Sequence, residues 1–512
     1  MSMSQVDDAG VKSHERNGDD GEAWAMLGGV LALAASSAVL LAWQVATPRA
    51  IGLAGITLDR LGAALTLLVG GVGAVTFRFS MRYLDGEPIR RRFLRRLAFT
   101  ISSAYVLMLA TDLRLLIAAW ATTSLGLHGL LLSYPDRAEA WRPARKKFLI
   151  SRLGDAALVA AAALVWRDWG TFDLGAFLRA ATAGPVVGPS ATAICLLVAA
   201  AALTKSAQFP FHSWLPETME APTPVSALMH AGVINAGGAL LLRFAPLVVR
   251  VPEALLLLSL VGTITAVLGM LAMWAQVKVK RTLAWSTVAQ MGFMMVQCGL
   301  AAFPAALLHI LGHGCYKAWS FLRSGGLPAS APSVEVVPPA RTLGLAALGT
   351  GWGILTVAAA SALTGFRPDH APGELALAAV AALSIGQLWV VLLGPSRPGR
   401  STFIRLPWAA AASLAASVAI FALYRGAERF LAPVLGDPPA PEGALAWLAA
   451  TIPAVAFTGL VVVHALLPAL GRRASGRAFH VHALHGFYLG AVADRLVDRA
   501  WGRRIPKGAE HA

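Results

Sequence analysis

Residues 203–232 read LTKSAQFPFHSWLPETMEAPTPVSALMHAG and follow the apolar run ATAICLLVAAAA. A segment suited to lipid here acquires Lys205, Glu217, Glu220 and His230, with Pro210, Pro216, Pro222 and Pro224 between them. A charged side chain at mid-membrane costs roughly 2.5–3.5 kcal/mol on insertion scales, so such groups face protein or water rather than lipid. Proline removes a backbone donor and opens a helix. Broken helices survive at membrane depth where they line a cavity, and in transporters they mark ion sites. The stretch therefore reads as a transmembrane helix interrupted at Lys205.

The rest of the chain supports a membrane setting. Its 512 residues are 57% hydrophobic and 14% charged, with a mean hydropathy of +0.63. A soluble domain carries roughly 25% charged residues. The expected fold is an all-α polytopic membrane protein. A span needs about 20 apolar residues. About 14 stretches qualify, near 24–46, 56–77, 97–111, 113–133, 148–167, 190–220, 222–245, 253–275, 283–301, 304–324, 342–365, 374–394, 407–431 and 445–470. Residues 1–23 are polar and acidic and are expected to form a disordered cytoplasmic tail, residues 24–470 the transmembrane domain, and residues 471–512 an amphipathic tail. No cleavable signal peptide is expected before the first apolar run. Cys195, Cys298 and Cys315 all lie in apolar runs, with no CxxC pattern and no disulfide framework.

The distribution of positive charge sets the orientation. Arg78, Arg82, Arg90–Arg92, Arg95, Arg96, Arg137, Arg142, Arg145, Lys146, Lys147, Lys278, Lys280, Arg281, Arg397, Arg400 and Arg405 fall in alternate loops. The opposite loops offer little beyond Arg49, Arg179, Arg250 and Arg367. Basic residues accumulate in cytoplasmic loops, so both termini are expected in the cytoplasm. This also accounts for the net charge of +16: the basic loops face anionic membrane lipid, and no nucleic acid partner is implied. The tail HVHALHGFYLGAVADRLVDRAW, residues 480–501, mixes apolar and charged residues at helical spacing. It fits a C-terminal amphipathic helix lying on the membrane or docked on a partner.

Several titratable residues lie within the apolar segments. Lysine can lose its proton when desolvated, so Lys205 suits a site that holds and releases one. Glu217 is the carboxylate expected to partner it, and Glu220 is expected to cap the helix beginning near Pro222. His230 suits a proton relay because histidine titrates near neutral pH. His309, His313 and Lys317 are spaced by four and stack along one helix face. HILGH lacks the glutamate of an HExxH zinc motif, so no metal is expected there. Lys280 lies near enough to the membrane to continue a path, with Ser286, Thr287 and Gln290 to hold water. Arg152 and Asp155 form a candidate ion pair, and Asp59 a candidate cap. Plain packing roles also fit: a structural lysine paired with a carboxylate, or a satisfied core histidine. No Walker loop, dinucleotide fingerprint or nucleophile elbow is present, so no enzyme activity is assigned to this chain.

The segments AALTKSAQFPFHSWLPETMEAPTPVSALMHAG, KVKRTLAWSTVAQMGFM, LLHILGHGCYKAWSFL, ITLDRLG and FLISRLGD resemble the motifs of proton-conducting antiporter-like subunits. Those subunits occur in respiratory complex I, multisubunit cation/proton antiporters and membrane hydrogenases. The resemblance covers about residues 55–325. It implies two inverted five-helix repeats, each with a broken helix, and a polar axis along mid-membrane. It matches Lys205 to the lysine of the broken helix, His230 to the next helix's histidine and Lys317 to the lysine ending the first channel. Lys280, His309 and His313 match accessory positions. Two features depart from the pattern. The glutamate that usually pairs with the broken-helix lysine is replaced by Ala121 in IAAWATTSLGLHGLLL, leaving Glu217 or Asp155 to compensate. The segment ELALAAVAALSIGQLWVVLLG has no lysine, only Ser384 and Gln387.

HAGVINAGG, WATTSLGLHGLLL and the 480–501 tail are similar to the membrane subunits of DAB inorganic-carbon uptake complexes (DabB). That resemblance implies a subunit conducting cations, protons in the first instance, in the cell inner membrane. Its implied partner is a large cytoplasmic DabA subunit resembling a zinc-dependent carbonic anhydrase. The zinc and the CO2 hydration site would lie on that partner, with no cofactor on this chain. A subunit of a redox-driven pump, hydrogenase or cation/proton antiporter is the alternative, and a purely structural scaffold is a third class.

Overall fold

The computed structural model describes residues 4–184, 187–326, 337–394, 400–436 and 439–501. The helices run α1 (Ser4–Ala46), α2 (Arg60–Tyr83), α3 (Arg90–Leu109), α4 (Leu113–Leu131), α5 (Ala138–Trp169), α6 (Leu174–Thr182) and α7 (Pro189–Lys205). They continue as α8 (Trp214–Glu217), α9 (Thr223–Ala231), α10 (Ala236–Val248), α11 (Pro252–Ala275), α12 (Val279–Gly299) and α13 (Phe303–Arg323). The remainder are α14 (Pro339–Thr364), α15 (Pro372–Leu393), α16 (Arg400–Leu435), α17 (Ala444–Leu470), α18 (Ala474–Leu484) and α19 (Leu489–Trp501). One small departure from an all-α chain is a hairpin, β1 (Ile51–Leu53) and β2 (Ile56–Leu58), antiparallel with Ile51 opposite Leu58.

Each apolar stretch expected to span falls on a helix. Among the described residues, nine of these helical stretches are both long and apolar enough to cross a membrane, and Pro189–Lys205 is a shorter apolar helix. The difference from about 14 has a physical basis. Helix α3 opens with arginines and α12 with Lys280 and Arg281, α13 carries two histidines and a lysine, and Arg114, Ser124 and His128 dilute α4. Helix α1 begins at Ser4, within the segment expected as a polar tail. Asp20 and Glu22 tie it to the basic start of α3 through Arg90 (2.8 Å), Arg91 (2.8 Å) and Arg95.

Small residues decide how closely some helices pack. A Cβ at Gly292 on α12 would stand 2.5 Å from the backbone nitrogen of Ala266 on α11, and one at Gly299 would stand 2.4 Å from that of Ser259. Small residues at such contacts let membrane helices approach backbone to backbone. Helices α14 and α15 do the same, where Gly353 faces the Ala382 carbonyl. The Thr223–Val248 stretch is buried along its whole length, whereas the stretches from α14 to α17 are mostly uncovered by protein. The helix that carries His230 is therefore the innermost, and the later helices form an apolar rim.

Candidate functional site

The chain leaves helical geometry where the prolines indicated. Helix α7 ends at Lys205, and α8 starts only at Trp214. The turn between them satisfies the freed polar groups internally, as apolar surroundings demand. The Phe209 N–H donates to Thr265 Oγ1 (2.9 Å), Gln208 Nε2 to the Ser206 carbonyl (2.8 Å) and Ser206 Oγ to the Ile234 carbonyl (2.8 Å). The last bond reaches a second break that the sequence reading did not anticipate. Helix α9 stops at Ala231, a 3-10 turn covers Val233–Asn235, and α10 restarts at Ala236. His230 sits one residue before that stop, so the two interruptions lie side by side.

Lys205 is buried, and its ammonium donates to the Ser124 hydroxyl (2.8 Å) and the Trp120 carbonyl (3.1 Å), 4.4 Å from the Trp120 ring centroid. Both acceptors belong to α4, on either side of Ala121. The hydroxyl one turn beyond Trp120 along α4 thus receives the lysine. Ser124 serves a second lysine as well: Lys147 of α5, itself buried, donates to the Ser124 carbonyl. Arg152 and Asp155 do form the expected pair, at 2.6 Å. Asp155 is the carboxylate whose charge reaches both Lys205 and Lys147. A small enclosed cavity lies between Lys147, Ser151, Lys205 and Trp214.

Glu217 does not partner Lys205. It lies past the break and takes Lys146 at 2.6 Å, while Asp494 of α19 binds the same ammonium at 2.8 Å. Glu220 does not cap α9, whose start has no side-chain cap, but pairs with Arg137 at 3.2 Å. Lys146 and Lys147, read from sequence as loop cations, are both buried in α5. That helix starts more than two turns before them, earlier than its apolar run suggested. The stripe Lys147, Ser151, Asp155, spaced by four, was the signal available in the sequence.

The second cluster lies on α13. Lys317 donates to Ser286 Oγ (2.8 Å) and, more weakly, to the Leu283 carbonyl (3.4 Å), both on α12. His309 Nδ1 and Gln297 Oε1 stand 2.9 Å apart, and the His309 and His313 rings are 5.6 Å apart. His230 stacks on Phe321, ring centroids 4.4 Å apart, with no hydrogen-bond partner on either ring nitrogen. His313 lies within electrostatic reach of His230, which links the second break to the α13 file. A cavity of about 520 Å³ opens along this file, lined by Ser286, Gln290, His309, His313, Lys317 and Tyr424 among others. Its neighbour, of about 380 Å³, shares Gln290 and Ser384 and extends to Gln387 and His464. Lys280 joins neither group: it is half-exposed at the start of α12, with no hydrogen bond or ion pair among the described residues.

Two further arrangements escaped the sequence reading. Asp59 caps α2 as expected, accepting from the Gly62 N–H at 2.7 Å, but it also forms a buried ion pair with Arg243 of α10. The C-terminal tail, expected on lipid or a partner, docks on its own chain. Gln276 Nε2 donates to the Leu484 carbonyl (3.2 Å) and Lys146 to that of Gly490 (3.3 Å). Gly486 has a positive φ of 59° and lies so near the Trp285 ring that a Cβ would stand 2.5 Å away. Val492 and Leu496 remain on the outer side, exposed.

Interrupted helices with a buried lysine at the break, followed by a histidine–lysine file on a later helix, define an antiporter-like membrane subunit. Comparison with known proteins agrees. A family model for the transmembrane region of NADH:quinone oxidoreductases and Mrp antiporters matches residues 110–337. The fold is shared with a chain of the Mrp complex from Dietzia sp. (TM-score 0.52, 26% identity, 94% of this chain and 57% of that one). It is also shared with a chain of respiratory complex I from Thermus thermophilus (TM-score 0.51, 24% identity, 88% and 93%). The sequence is 35% identical over 463 residues to the probable inorganic carbon transporter subunit DabB2 of Halothiobacillus neapolitanus, covering 90% of this chain and 83% of that protein. It is 40% identical over 276 residues to the probable DabB subunit of Hydrogenovibrio crunogenus, about half of each chain (54% and 52%). The chain belongs to the DabB family of inorganic carbon transporter subunits, within the antiporter-like class.

Proposed function

We propose that this chain conducts cations, in the first instance protons, through the cell inner membrane as part of an energy-coupled inorganic-carbon uptake complex. The carrying observation is the pair of lysines, Lys205 and Lys317, each held by a serine hydroxyl and a backbone carbonyl. Neutral acceptors fix an ammonium without adding opposite charge, so each lysine is positioned but not locked into an ion pair. His230, His309 and His313 supply titratable steps between them. Arg152 and Asp155 act as an accessory pair beside Lys205. Glu217, tied to the tail through Lys146, belongs to the coupling side of the machinery rather than to the path. Lys280 is an approach residue at the membrane surface.

Both termini face the cytoplasm in this reading, which rests on the asymmetry of the basic loops. The partner is a DabA-type cytoplasmic subunit that carries the zinc and hydrates CO2 to bicarbonate, driven by ion flow through this chain. The test is co-expression of both proteins in cells lacking carbonic anhydrase. Growth in ordinary air and bicarbonate accumulation are followed with and without an uncoupler, in wild type and Lys205→Ala. Rescue that requires both proteins, Lys205 and the gradient is the expected result. An assembled complex that gives no rescue would move the assignment to a redox-driven pump or cation/proton antiporter. Rescue that survives Lys205→Ala would remove Lys205 from the path.

A further inference from the structure

The second half of the chain lacks a buried lysine on α15, yet the cavity beside the α13 file ends against another group of titratable side chains. Tyr424 of α16 lines that cavity and is 5% exposed, and its hydroxyl has no hydrogen-bond partner among the described residues. Beside it, Glu374 stands in the first turn of α15, with one carboxylate oxygen buried and without a hydrogen-bond partner. Arg425 and Glu428 form an ion pair one turn along α16, and the Arg425 Nε is buried and unbonded. Glu374, Arg425 and Glu428 are all close enough to Tyr424 to act on it electrostatically. His370 and Asp369, from the loop before α15, reach Glu374 in the same way.

A buried, unpartnered polar group is costly, and each one in a native protein calls for an explanation. Here two such atoms, a Glu374 carboxylate oxygen and the Arg425 Nε, lie within electrostatic reach of Tyr424, which itself lines the cavity. The same cavity is lined by His309, His313 and Lys317. The volume is ample for water between Tyr424 and the α13 file, where Ser286, Gln290, His309, His313 and Lys317 offer polar partners.

We propose that Glu374, with the Arg425–Glu428 pair beside it, is the outer proton-loading site of this subunit. Tyr424 is the hydroxyl through which that site communicates with the α13 file. A proton arriving as hydronium is taken by the Glu374 carboxylate. It passes to cavity water by way of the Tyr424 hydroxyl, which accepts one proton as it gives up another, and then to His309. This inference rests on the proposed function and its orientation, which place the start of α15 opposite the cytoplasm.

The test uses the assembled two-subunit complex in liposomes containing a pH-sensitive dye, with flux driven by a potassium diffusion potential. Assembly is checked by gel filtration. Glu374→Gln and Tyr424→Phe are each expected to lower proton flux at least about tenfold, the scale of losing a hydrogen bond to a charged group. Glu374→Asp is expected to recover most of it, which a merely structural role would not predict. In a Cys315→Ser background, Glu374→Cys should be labelled by an impermeant, bulky thiol reagent added from the outer face alone. Lys205→Ala, run alongside, separates the two levels of the argument. If Lys205→Ala abolishes flux while Glu374→Gln and Tyr424→Phe leave it intact, the loading site is overturned and the proposed function stands. If Lys205→Ala also leaves flux intact, the proposed function falls first. Should Glu374→Gln fail to assemble, unchanged flux in Tyr424→Phe, or labelling of Glu374→Cys only from the cytoplasmic face, overturns the inference.

Discussion

Lys205 and Lys317 are held by the same device and set in opposite surroundings. Each donates to one serine hydroxyl at 2.8 Å and to one carbonyl three or four residues before that serine, at 3.1 Å for Lys205 and 3.4 Å for Lys317. Each also lies over an aromatic ring, Trp120 at 4.4 Å and Tyr316 at 5.5 Å. Around Lys205 the space is small and enclosed, shared with Lys147 and Ser151, with the charges of Arg152 and the single carboxylate Asp155 within electrostatic reach. Around Lys317 a cavity of about 520 Å³ follows two histidines. The first site can exchange charge only with fixed neighbours, and the second can exchange it with water. The two positions therefore differ less in their lysine than in what can replace a lost contact.

The largest contrast is expected from arginine substitutions. Arginine keeps the positive charge and does not deprotonate in proteins. A positioned proton-transfer group contributes roughly 10²- to 10⁴-fold, so Lys205→Arg should lower proton flux at least about a hundredfold while the complex still assembles. Lys317→Arg should cost about tenfold, because cavity water and His313 offer a second route. Flux in reconstituted liposomes measures both. Equal losses at the two positions would erase the distinction, and normal flux in Lys205→Arg would reduce Lys205 to a fixed charge.

The parts of these sites that were legible in sequence share a local signature. A lysine and four prolines inside an apolar run, or titratable residues spaced by four, are anomalies visible within one helix. The broken helix, the α13 file and the Arg152–Asp155 pair all follow from such patterns. The illegible parts are pairings across the chain. Ser124 is an ordinary serine in α4 until Lys205, 81 positions away, is folded against it. Arg243 meets Asp59 across 184 positions. Lys146 and Lys147 were concealed differently: they continue a basic loop, so charge counting assigned them to solvent, while α5 had already begun at Ala138. The misassignment of Glu217 followed from that one, since its true partner was thought to be elsewhere.

The serines give a smaller and more discriminating effect. A hydrogen bond to a charged group is worth roughly 1.5–3 kcal/mol. In the enclosed site nothing replaces it, so Ser124→Ala should reduce flux about ten- to a hundredfold by that measure. Ser286→Ala, beside the cavity, should cost less than about threefold because a water can take the hydroxyl's place. The missing carboxylate sharpens this further. Ala121 lies one helical turn from Ser124, so Ala121→Glu should make Ser124→Ala tolerable while doing nothing for Ser286→Ala. If Ala121→Glu fails to rescue an assembled Ser124→Ala complex, Ser124 is not the substitute for the family's glutamate.

The smallest effect on flux is expected where the first site meets the tail. Lys146 is buried and binds Glu217 just past the broken helix and Asp494 on α19, whereas the α13 file has no equivalent tie to the tail. Lys146→Met keeps the stem's volume and removes the cation, leaving two carboxylates facing each other across the space it occupied. Both are partly exposed, so solvent screens much of the repulsion. Proton flux should stay within about twofold, because no path residue is touched. The tail should respond more strongly: amide hydrogens of α19 should exchange several times faster, with α13 unchanged. Unaltered exchange in α19 would mean that the Gln276–Leu484 bond and the Gly486–Trp285 packing hold the tail without the triad. Faster exchange combined with normal flux and reduced bicarbonate accumulation would separate conduction from coupling. It would place the coupling element at the junction of the broken helix and the tail.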